Sequence, residues 1–147
     1  MKNFNPNHDE KGRFAKSPFK NSKIQKYVYH NSKKDFDKFD LNYFGGTDLG
    51  SYCKGIYFSG NTEEIKKYGN KQYKAYIDIK NPIYFEGNEK RFSVNFRDYK
   101  NKDKLKKIKE NLTQQLIQEG YDGVIAGDSQ YIVFDPKQIK IVDKYDI

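Results

Sequence analysis

Apolar residues in this chain alternate with polar ones in several short segments and recur at helical spacing in one longer segment. Alternation predicts strands at residues 73–79 and 92–96 (the weakest), and short apolar segments predict strands at 26–30, 55–59, 83–85, 131–134 and 139–142. Helical spacing predicts a helix over residues 103–119, which Gly120 ends, with apolar positions at Leu105, Ile108, Leu112 and Leu116. A shorter helix is predicted from Thr62 to Gly69. Many strands with two helices indicate the α+β class.

The first part of the chain lacks this periodicity. Residues 1–23 contain Pro6, Gly12 and Pro18 among polar side chains, so we expect them to be disordered or loosely attached, with the folded domain at 24–147. Residues 45–50 are expected to form a long loop. Only 34 of 147 residues are Leu, Ile, Val or Phe, so the 13 Tyr and 11 Phe must supply much of the core.

Charge is concentrated at the same end. The formal net charge is +8, and residues 1–34 contribute +7 of it through nine basic and two acidic residues. This asymmetry predicts a flexible basic arm that makes nonspecific contacts with nucleic acid; the alternative is a solvated tail. Lysine outnumbers arginine 25 to 3, which argues against sequence-specific DNA recognition because bidentate contacts to bases favour arginine.

The sequence argues against several protein classes. No apolar stretch approaches the roughly 18 residues of a membrane span, and no apolar run follows Lys2 as in a signal peptide, so neither a membrane protein nor a secreted precursor is expected. One cysteine, Cys53, excludes an internal disulfide and a multi-cysteine zinc site. With only His8 and His30 as further soft ligands, no metal centre is expected.

Three polar residues lie on or beside the predicted strands. His30 ends the first strand, Tyr57 lies in the second, and Gln130 precedes the first of the two closing strands. A sheet holds such positions rigidly, which suits a binding or catalytic site. The alternative for each residue is structural, since a single histidine or a strand tyrosine is more often part of the core.

Five short segments occur in a distinctive order. They are Tyr-His-Asn-Ser at 29–32, Lys-Gly-Ile-Tyr-Phe at 54–58, Tyr68, Gly-Tyr-Asp-Gly-Val at 120–124, and Gln-Tyr-Ile-Val-Phe-Asp-Pro at 130–136. In this order they resemble the ADP-ribosyltransferase fold, in the His-Tyr-Glu branch that includes diphtheria toxin and the poly(ADP-ribose) polymerases. The similarity is greatest to small ADP-ribosyltransferase-like domains of phage and mobile-element proteins. It implies a split β-sheet with few helices that binds NAD as a substrate without a Rossmann glycine motif.

The resemblance also implies roles for individual residues. His30, Tyr57 and Gln130 take the three catalytic positions, with His30 donating a hydrogen bond to the adenosine-side ribose. The backbone of Asn31 holds the nicotinamide carboxamide, and the rings of Tyr57 and Tyr68 enclose the nicotinamide. Phe58, in the same motif as Tyr57, is included among the NAD-binding residues.

The chain departs from this family at two positions. Gln130 stands where the family usually has a catalytic glutamate, and an amide supplies no negative charge and accepts no proton. Polymer elongation is therefore not expected, while transfer of a single ADP-ribose, weak NAD hydrolysis and plain binding remain. Asp128 and Asp122 are nearby carboxylates, each more typical of a turn. Ile65 stands at the position of a family serine.

Three functions therefore stay open. The first is an NAD-dependent mono-ADP-ribosyltransferase of phage or mobile-element origin, a glycosyltransferase that modifies a host or virion protein or nucleic acid. The second is a catalytically reduced module that binds NAD or ADP-ribose and associates with a virion or DNA. The third is a small basic nuclease toxin. The arm at 5–15 also resembles a segment of phage structural and head-assembly proteins, which implies a location in the host cytoplasm or the virion.

Overall fold

The computed structural model describes residues 17–43 and 52–147 of the chain. Within these ranges the protein forms one seven-stranded sheet with the order β4-β5-β6-β2-β1-β3-β7. All neighbouring strands are antiparallel except β4 and β5, which are parallel. The strands are β1 (Val28–Ser32), β2 (Ile56–Ser59), β3 (Lys71–Ile77), β4 (Pro82–Tyr84), β5 (Gly123–Ala126), β6 (Gln130–Val133) and β7 (Ile139–Asp146).

Helices occupy the connections between the strands. The described residues contain two α-helices, α1 (Glu89–Phe92) and α2 (Lys102–Gln118). They also contain four 3₁₀ helices, at Leu41–Tyr43, Thr62–Tyr68, Phe96–Lys100 and Pro136–Gln138. This composition confirms the α+β class. The predicted loop at 45–50 and residues 1–16 of the predicted arm lie outside the described residues.

The long helix agrees closely with its sequence prediction. The side chain of Asn101 caps the start of α2 by accepting a hydrogen bond from the Lys104 backbone N–H at 3.1 Å. At the other end Gly120 adopts a φ of 97°, and the Gly120 N–H donates to the Ile117 carbonyl at 2.9 Å. Leu105 and Leu116 are buried, so the predicted apolar stripe does face the sheet.

Two apolar clusters cover the two faces of the sheet. One contains Ile24, Val28, Phe39, Ile56, Phe58, Tyr73, Ala75, Ile77, Ile79, Ile125, Tyr131 and Val133. The other joins the sheet to α1 and α2 and contains Cys53, Ile83, Phe92, Leu116, Val124, Ile132 and Phe134. Alternate residues of β2 and β6 point into opposite clusters, as the period of a strand requires.

Strands β1 and β2 separate near the middle of the sheet. β1 pairs with β3 through five residue pairs and β2 pairs with β6 through four, but β1 pairs with β2 only where Tyr29 lies opposite Ser59. Continuing that register would bring Asn31 opposite Tyr57, and the pairing does not extend to them. The sheet is therefore split along the β1–β2 edge.

The strand predicted at 92–96 is wrong. Phe92 ends α1 and Phe96 begins a 3₁₀ helix, with the Phe96 ring 80% exposed. Three alternating apolar residues are too few to specify a strand when only one of them, Phe92, is buried.

Two smaller predictions also differ from the structure. The helix predicted from Thr62 is a 3₁₀ helix whose N-cap is Asn61, which accepts a hydrogen bond from the Glu63 N–H at 3.0 Å. β5 was not predicted, because Gly123 to Ala126 is a short, fully buried run that follows directly on a glycine-containing turn.

The end of the predicted arm packs on the sheet. Ser22 is buried, and its hydroxyl donates to the Ile77 carbonyl at 2.8 Å and accepts from the Ile79 N–H at 3.0 Å. The Lys23 N–H donates to the Ile79 carbonyl at 2.7 Å. Ser22 and Lys23 are therefore not loosely attached, because they hydrogen-bond the backbone groups of Ile77 and Ile79 at the end of β3 and just beyond it. The domain boundary itself stays a prediction.

No helix in the described ranges is both long and apolar enough to cross a membrane.

Ser22→Ala should lower the free energy of unfolding by about 1–3 kcal/mol, because the buried Ile79 N–H loses its acceptor. Ser93→Ala is the matched control, since Ser93 is exposed and its hydroxyl donates only to the Lys90 carbonyl. Urea unfolding of the two variants and the parent chain measures the difference. Equal stability of both variants would contradict an anchoring role for Ser22.

Candidate active site where two strands separate

His30 bridges the split between β1 and β2. Its Nδ1 lies 2.6 Å from the carbonyl oxygen of Tyr57. A carbonyl only accepts, so Nδ1 carries the proton in this contact. The imidazole thus links the two strands at the point where their backbone pairing has ended.

The surroundings of His30 favour the neutral ring. The rings of Phe39, Phe58 and Tyr73 lie 4.9, 5.7 and 6.3 Å from it, centroid to centroid. Burial lowers the pKa of His30 below its usual 6.5, and the hydrogen bond to Tyr57 offsets this in part. In the neutral ring with Nδ1 protonated, Nε2 holds a lone pair and accepts hydrogen bonds. A ligand hydroxyl would therefore donate to His30, the reverse of the direction inferred from sequence.

The Tyr57 hydroxyl holds the segment that precedes β2. It accepts from the backbone N–H groups of Tyr52 and Cys53, both at 3.0 Å, and donates to the Cys53 carbonyl at 2.6 Å. These bonds occupy the hydroxyl, so the ring is the part of Tyr57 suited to contact a ligand. Tyr57 packs with the cluster on the α2 side, whereas His30 contacts the opposite one.

Tyr52 connects Tyr57 to Gln130. Its ring lies 6.3 Å from that of Tyr57 at an interplanar angle of 14°, and its hydroxyl donates to Gln130 Oε1 at 2.9 Å. Phe85 and Phe92 contact the same ring edge-on at 4.9 and 5.9 Å. Burial, and then the charge of Glu86, raise the pKa of Tyr52, so its hydroxyl remains a donor at neutral pH. Sequence reasoning missed Tyr52.

Gln130 is exposed at the start of β6, opposite Ser59 of β2. Because Tyr52 donates to Oε1, the amide nitrogen of Gln130 is directed elsewhere and offers two hydrogens. The residue can therefore hydrogen-bond a ligand oxygen but brings no charge.

One carboxylate contacts two neighbours of Gln130. Glu64 accepts a hydrogen bond from the Ser129 hydroxyl at 3.1 Å, and its other oxygen lies 3.2 Å from the Ser59 hydroxyl, which also contacts the Asn61 carbonyl at 2.9 Å. Ser59 is the cross-strand partner of Gln130 and Ser129 is its chain neighbour, so both serines direct Glu64 toward this position. On the other side of the same turn, Glu86 accepts from the Gly127 N–H at 2.9 Å.

Asn31 lies across the split from Tyr57. Its side chain is 95% buried; Nδ2 donates to the Gly69 carbonyl at 3.4 Å, and Oδ1 is buried without a hydrogen-bond partner in the described structure. Gly69 is required here, since a Cβ on it would lie 2.2 Å from the Ser32 carbonyl carbon and its φ is 149°. The orphaned oxygen is an acceptor that a bound amide could satisfy.

The other two residues predicted to bind NAD are Tyr68 and Phe58. Tyr68 ends the 3₁₀ helix Thr62–Tyr68 and is partly buried, with the Lys67 ammonium 5.3 Å from its ring. Phe58 is buried on the His30 face, 5.4 Å from Phe39. The enclosure of nicotinamide by Tyr57 and Tyr68 and the contact of Phe58 with NAD stay predictions.

Asp122, one of the two carboxylates considered as a substitute, and the thiol of Cys53 are both accounted for structurally. Asp122 accepts from the Lys80 and Asn81 N–H groups, both at 2.8 Å, so it fixes the turn before β4. Burial raises the pKa of the Cys53 thiol to about 11, which keeps it protonated and unreactive at neutral pH. Neither supplies charge at Gln130.

The structure thus connects the three residues predicted as catalytic, but not on one face. His30 contacts the Tyr57 backbone, Tyr57 holds the Tyr52 segment, and Tyr52 contacts Gln130. The signal that could have revealed Tyr52 is its position two residues before Lys-Gly-Ile-Tyr-Phe. Glu64 gave no such signal, because an acidic residue in a first helical turn is ordinary.

Comparisons with known proteins agree with the sequence motifs. A family model described as "ADP-Ribosyltransferase in polyvalent proteins" matches residues 24–146, which confirms the resemblance. No curated protein matches the chain. Among solved structures it is similar to a "Crystal structure of an anti-CRISPR protein", with 12% identity and a TM-score of 0.47 over 88% of this chain and 100% of that chain. A likeness of that size supports no statement about function.

His30 predicts a specific pH dependence of stability. Its folded-state pKa lies below the usual 6.5, so the unfolded chain takes up the proton first and the folded state loses stability as pH falls below about 6.5. We expect His30→Gln to reduce the loss of unfolding free energy between pH 7.5 and 5.5. His8→Gln is the control and should keep it. Urea unfolding at both pH values measures this, and an unchanged loss in His30→Gln would show that other groups cause it.

Proposed function

Because the chain belongs to the family of ADP-ribosyltransferases in polyvalent proteins, we propose that it binds NAD at the split between β1 and β2 and transfers one ADP-ribose to a macromolecule. The observation that carries the proposal is the hydrogen-bonded series from His30 through Tyr57 and Tyr52 to Gln130. This series connects His30, Tyr57 and Gln130, the three residues predicted from the sequence to be catalytic, at the split between β1 and β2.

The split between β1 and β2 offers a suitable group for each end of NAD. The buried Asn31 Oδ1 accepts a hydrogen bond from the nicotinamide carboxamide, beside the Tyr57 ring, which suits a flat cationic ring. His30 Nε2 accepts from a hydroxyl of the adenosine-side ribose. Gln130 donates from its amide nitrogen to an oxygen of the nicotinamide-side ribose. This assignment uses no metal ion.

The reaction breaks the bond between the ribose carbon and the nicotinamide nitrogen. Nicotinamide leaves with the bonding electrons, positive charge develops on the ribose carbon, and a nucleophile of the acceptor attacks that carbon and releases its proton. A negative charge near the ribose stabilises this state most. In this proposal Glu64 supplies it, because its carboxylate contacts Ser59, the cross-strand partner of Gln130, and Ser129, its chain neighbour.

A second candidate function is binding without turnover. It is favoured by Gln130, whose Oε1 is occupied by Tyr52, and by Glu64, whose carboxylate is occupied by two serine hydroxyls. Such a module would hold NAD or ADP-ribose through the same groups. A nuclease is not proposed, because the family to which the chain belongs is one of transferases.

The acceptor is proposed to be a host or virion protein or a nucleic acid. Incubating the full chain with NAD labelled in the adenylate part and a host lysate tests transfer and cleavage together. Labelled macromolecule and free nicotinamide support the transferase, nicotinamide alone supports hydrolysis, and NAD binding with neither product supports the binding module.

Two adjacent glutamates provide a matched test of the charge. We expect Glu64→Gln to slow nicotinamide release at saturating NAD about tenfold or more, equivalent to about 1.4 kcal/mol of lost transition-state stabilisation. Glu63→Gln should stay within about twofold, because Glu63 is exposed and pairs only with Lys66 at 3.0 Å. Equal rates in both variants would remove Glu64 from the mechanism.

Gln130→Glu tests the role of charge by adding a carboxylate at position 130. A carboxylate at 130 should raise nicotinamide release about tenfold, since it adds charge where the amide has only dipoles. The gain should be larger in the Glu64→Gln background, because two neighbouring carboxylates disfavour each other's charge. Gln130→Ala should lower release. If Glu, Gln and Ala at 130 give one rate, Gln130 does not face the ribose.

A further inference from the structure

The small net charge of the folded region conceals a strongly basic segment. Residues 35–147 sum to +1, yet residues 90–107 alone contain eight Lys or Arg and two Asp. The rest of that region is therefore net acidic by five charges. This segment comprises the end of α1, the 3₁₀ helix Phe96–Lys100 and the first turns of α2. We call residues 90–107 the basic aromatic surface.

Two aromatic rings project from the middle of this surface. Phe96 is 80% exposed and Tyr99 is 54% exposed. In a 3₁₀ helix, side chains three residues apart lie on the same edge, so both rings project from one edge of this helix. The Lys100 ammonium lies 5.6 Å from the Phe96 ring centre. These exposed rings with cations beside them contrast with Phe39, Phe58, Phe92 and Phe134, which are buried in the core.

Two ion pairs hold this surface in place, and most of its other cations are exposed to solvent. Lys104 pairs with the buried Asp98 at 2.8 Å, which ties the 3₁₀ helix to α2. Arg91 pairs in bidentate fashion with Glu119 at 2.8 and 2.7 Å, which ties α1 to the far end of α2. The exposed cations that remain are Lys90, Arg97, Lys100, Lys102 and Lys107.

We propose that the basic aromatic surface binds single-stranded nucleic acid. Phosphates are attracted by the lysines, and unpaired bases stack on Phe96 and Tyr99, the combination by which single strands are bound without sequence preference. A protein partner fits less well, because interface cores are depleted of lysine. A duplex fits less well, because paired bases leave no free face for the rings. The proposal does not depend on NAD chemistry.

The test compares the full chain with three double variants and one single variant. Affinity for a fluorescent 20-nucleotide oligo(dU), for a duplex of the same length and for phosphatidylserine vesicles is measured over a range of salt concentrations. Phe96→Ala with Tyr99→Ala removes the rings, and Tyr84→Ala, at a 50% exposed ring on β4, is the matched control. Lys100→Gln with Lys102→Gln removes two charges, and Lys137→Gln with Lys140→Gln removes two exposed charges elsewhere.

Loss of the rings should weaken oligo(dU) binding about tenfold and leave duplex binding unchanged, whereas Tyr84→Ala should match the parent. Loss of Lys100 and Lys102 should reduce the slope of log affinity against log salt by about 1.4, at about 0.7 per phosphate contact, more than the control pair does. All variants keep residues 1–34, so any nucleic-acid binding by those residues contributes equally to every affinity that is compared. Unchanged oligo(dU) affinity in the ring variant, equal preference for duplex, binding to vesicles alone, or no binding each overturns the proposal.

Discussion

The hydrogen bond from His30 Nδ1 to the Tyr57 carbonyl is the contact on which the candidate site depends. β1 and β2 pair at a single position, so the strands on either side of the split would otherwise be joined there by little backbone bonding. A neutral imidazole satisfies the Tyr57 carbonyl and sets the ring orientation at once. The same contact explains why burial of His30 among three aromatic rings is tolerated: its one protonated nitrogen has a partner.

From this contact the site extends through tyrosines rather than through charges. The Tyr57 hydroxyl hydrogen-bonds the backbone of residues 52 and 53, and the Tyr52 hydroxyl donates a hydrogen bond to Gln130. The negative charge is on Glu64, whose carboxylate contacts the hydroxyls of Ser59 and Ser129. The charge that an amide at position 130 cannot supply is thus available from a neighbouring helix, which is why the proposed chemistry does not require a carboxylate in β6.

The helical segment of residues 90–107 is organised differently from the candidate site. α2 places Leu105 and Leu116 against the sheet and leaves its first turns, with the preceding 3₁₀ helix, rich in lysine. Phe96 and Tyr99 are left outside by this geometry, although the chain needs its aromatic rings for the core. The ion pairs of Lys104 and Arg91 hold that arrangement, so the exposed rings sit on a fixed support.

Local pattern determined much of this protein. The spacing of apolar residues and the caps of α2 depend on neighbours three or four positions away, and the ordered motifs around His30, Tyr57 and Gln130 identified the family. The tertiary structure alone decided the rest. Tyr52 reaches Gln130 across 78 residues of the chain and Glu64 reaches Ser129 across 65. Ser22 joins the sheet beyond β3, and residues 92–96 are not a strand. These outcomes depend on contacts between residues that are distant along the chain. Strand pairing brings such residues together, and the residues next to a side chain in the sequence do not indicate which distant partner it will contact.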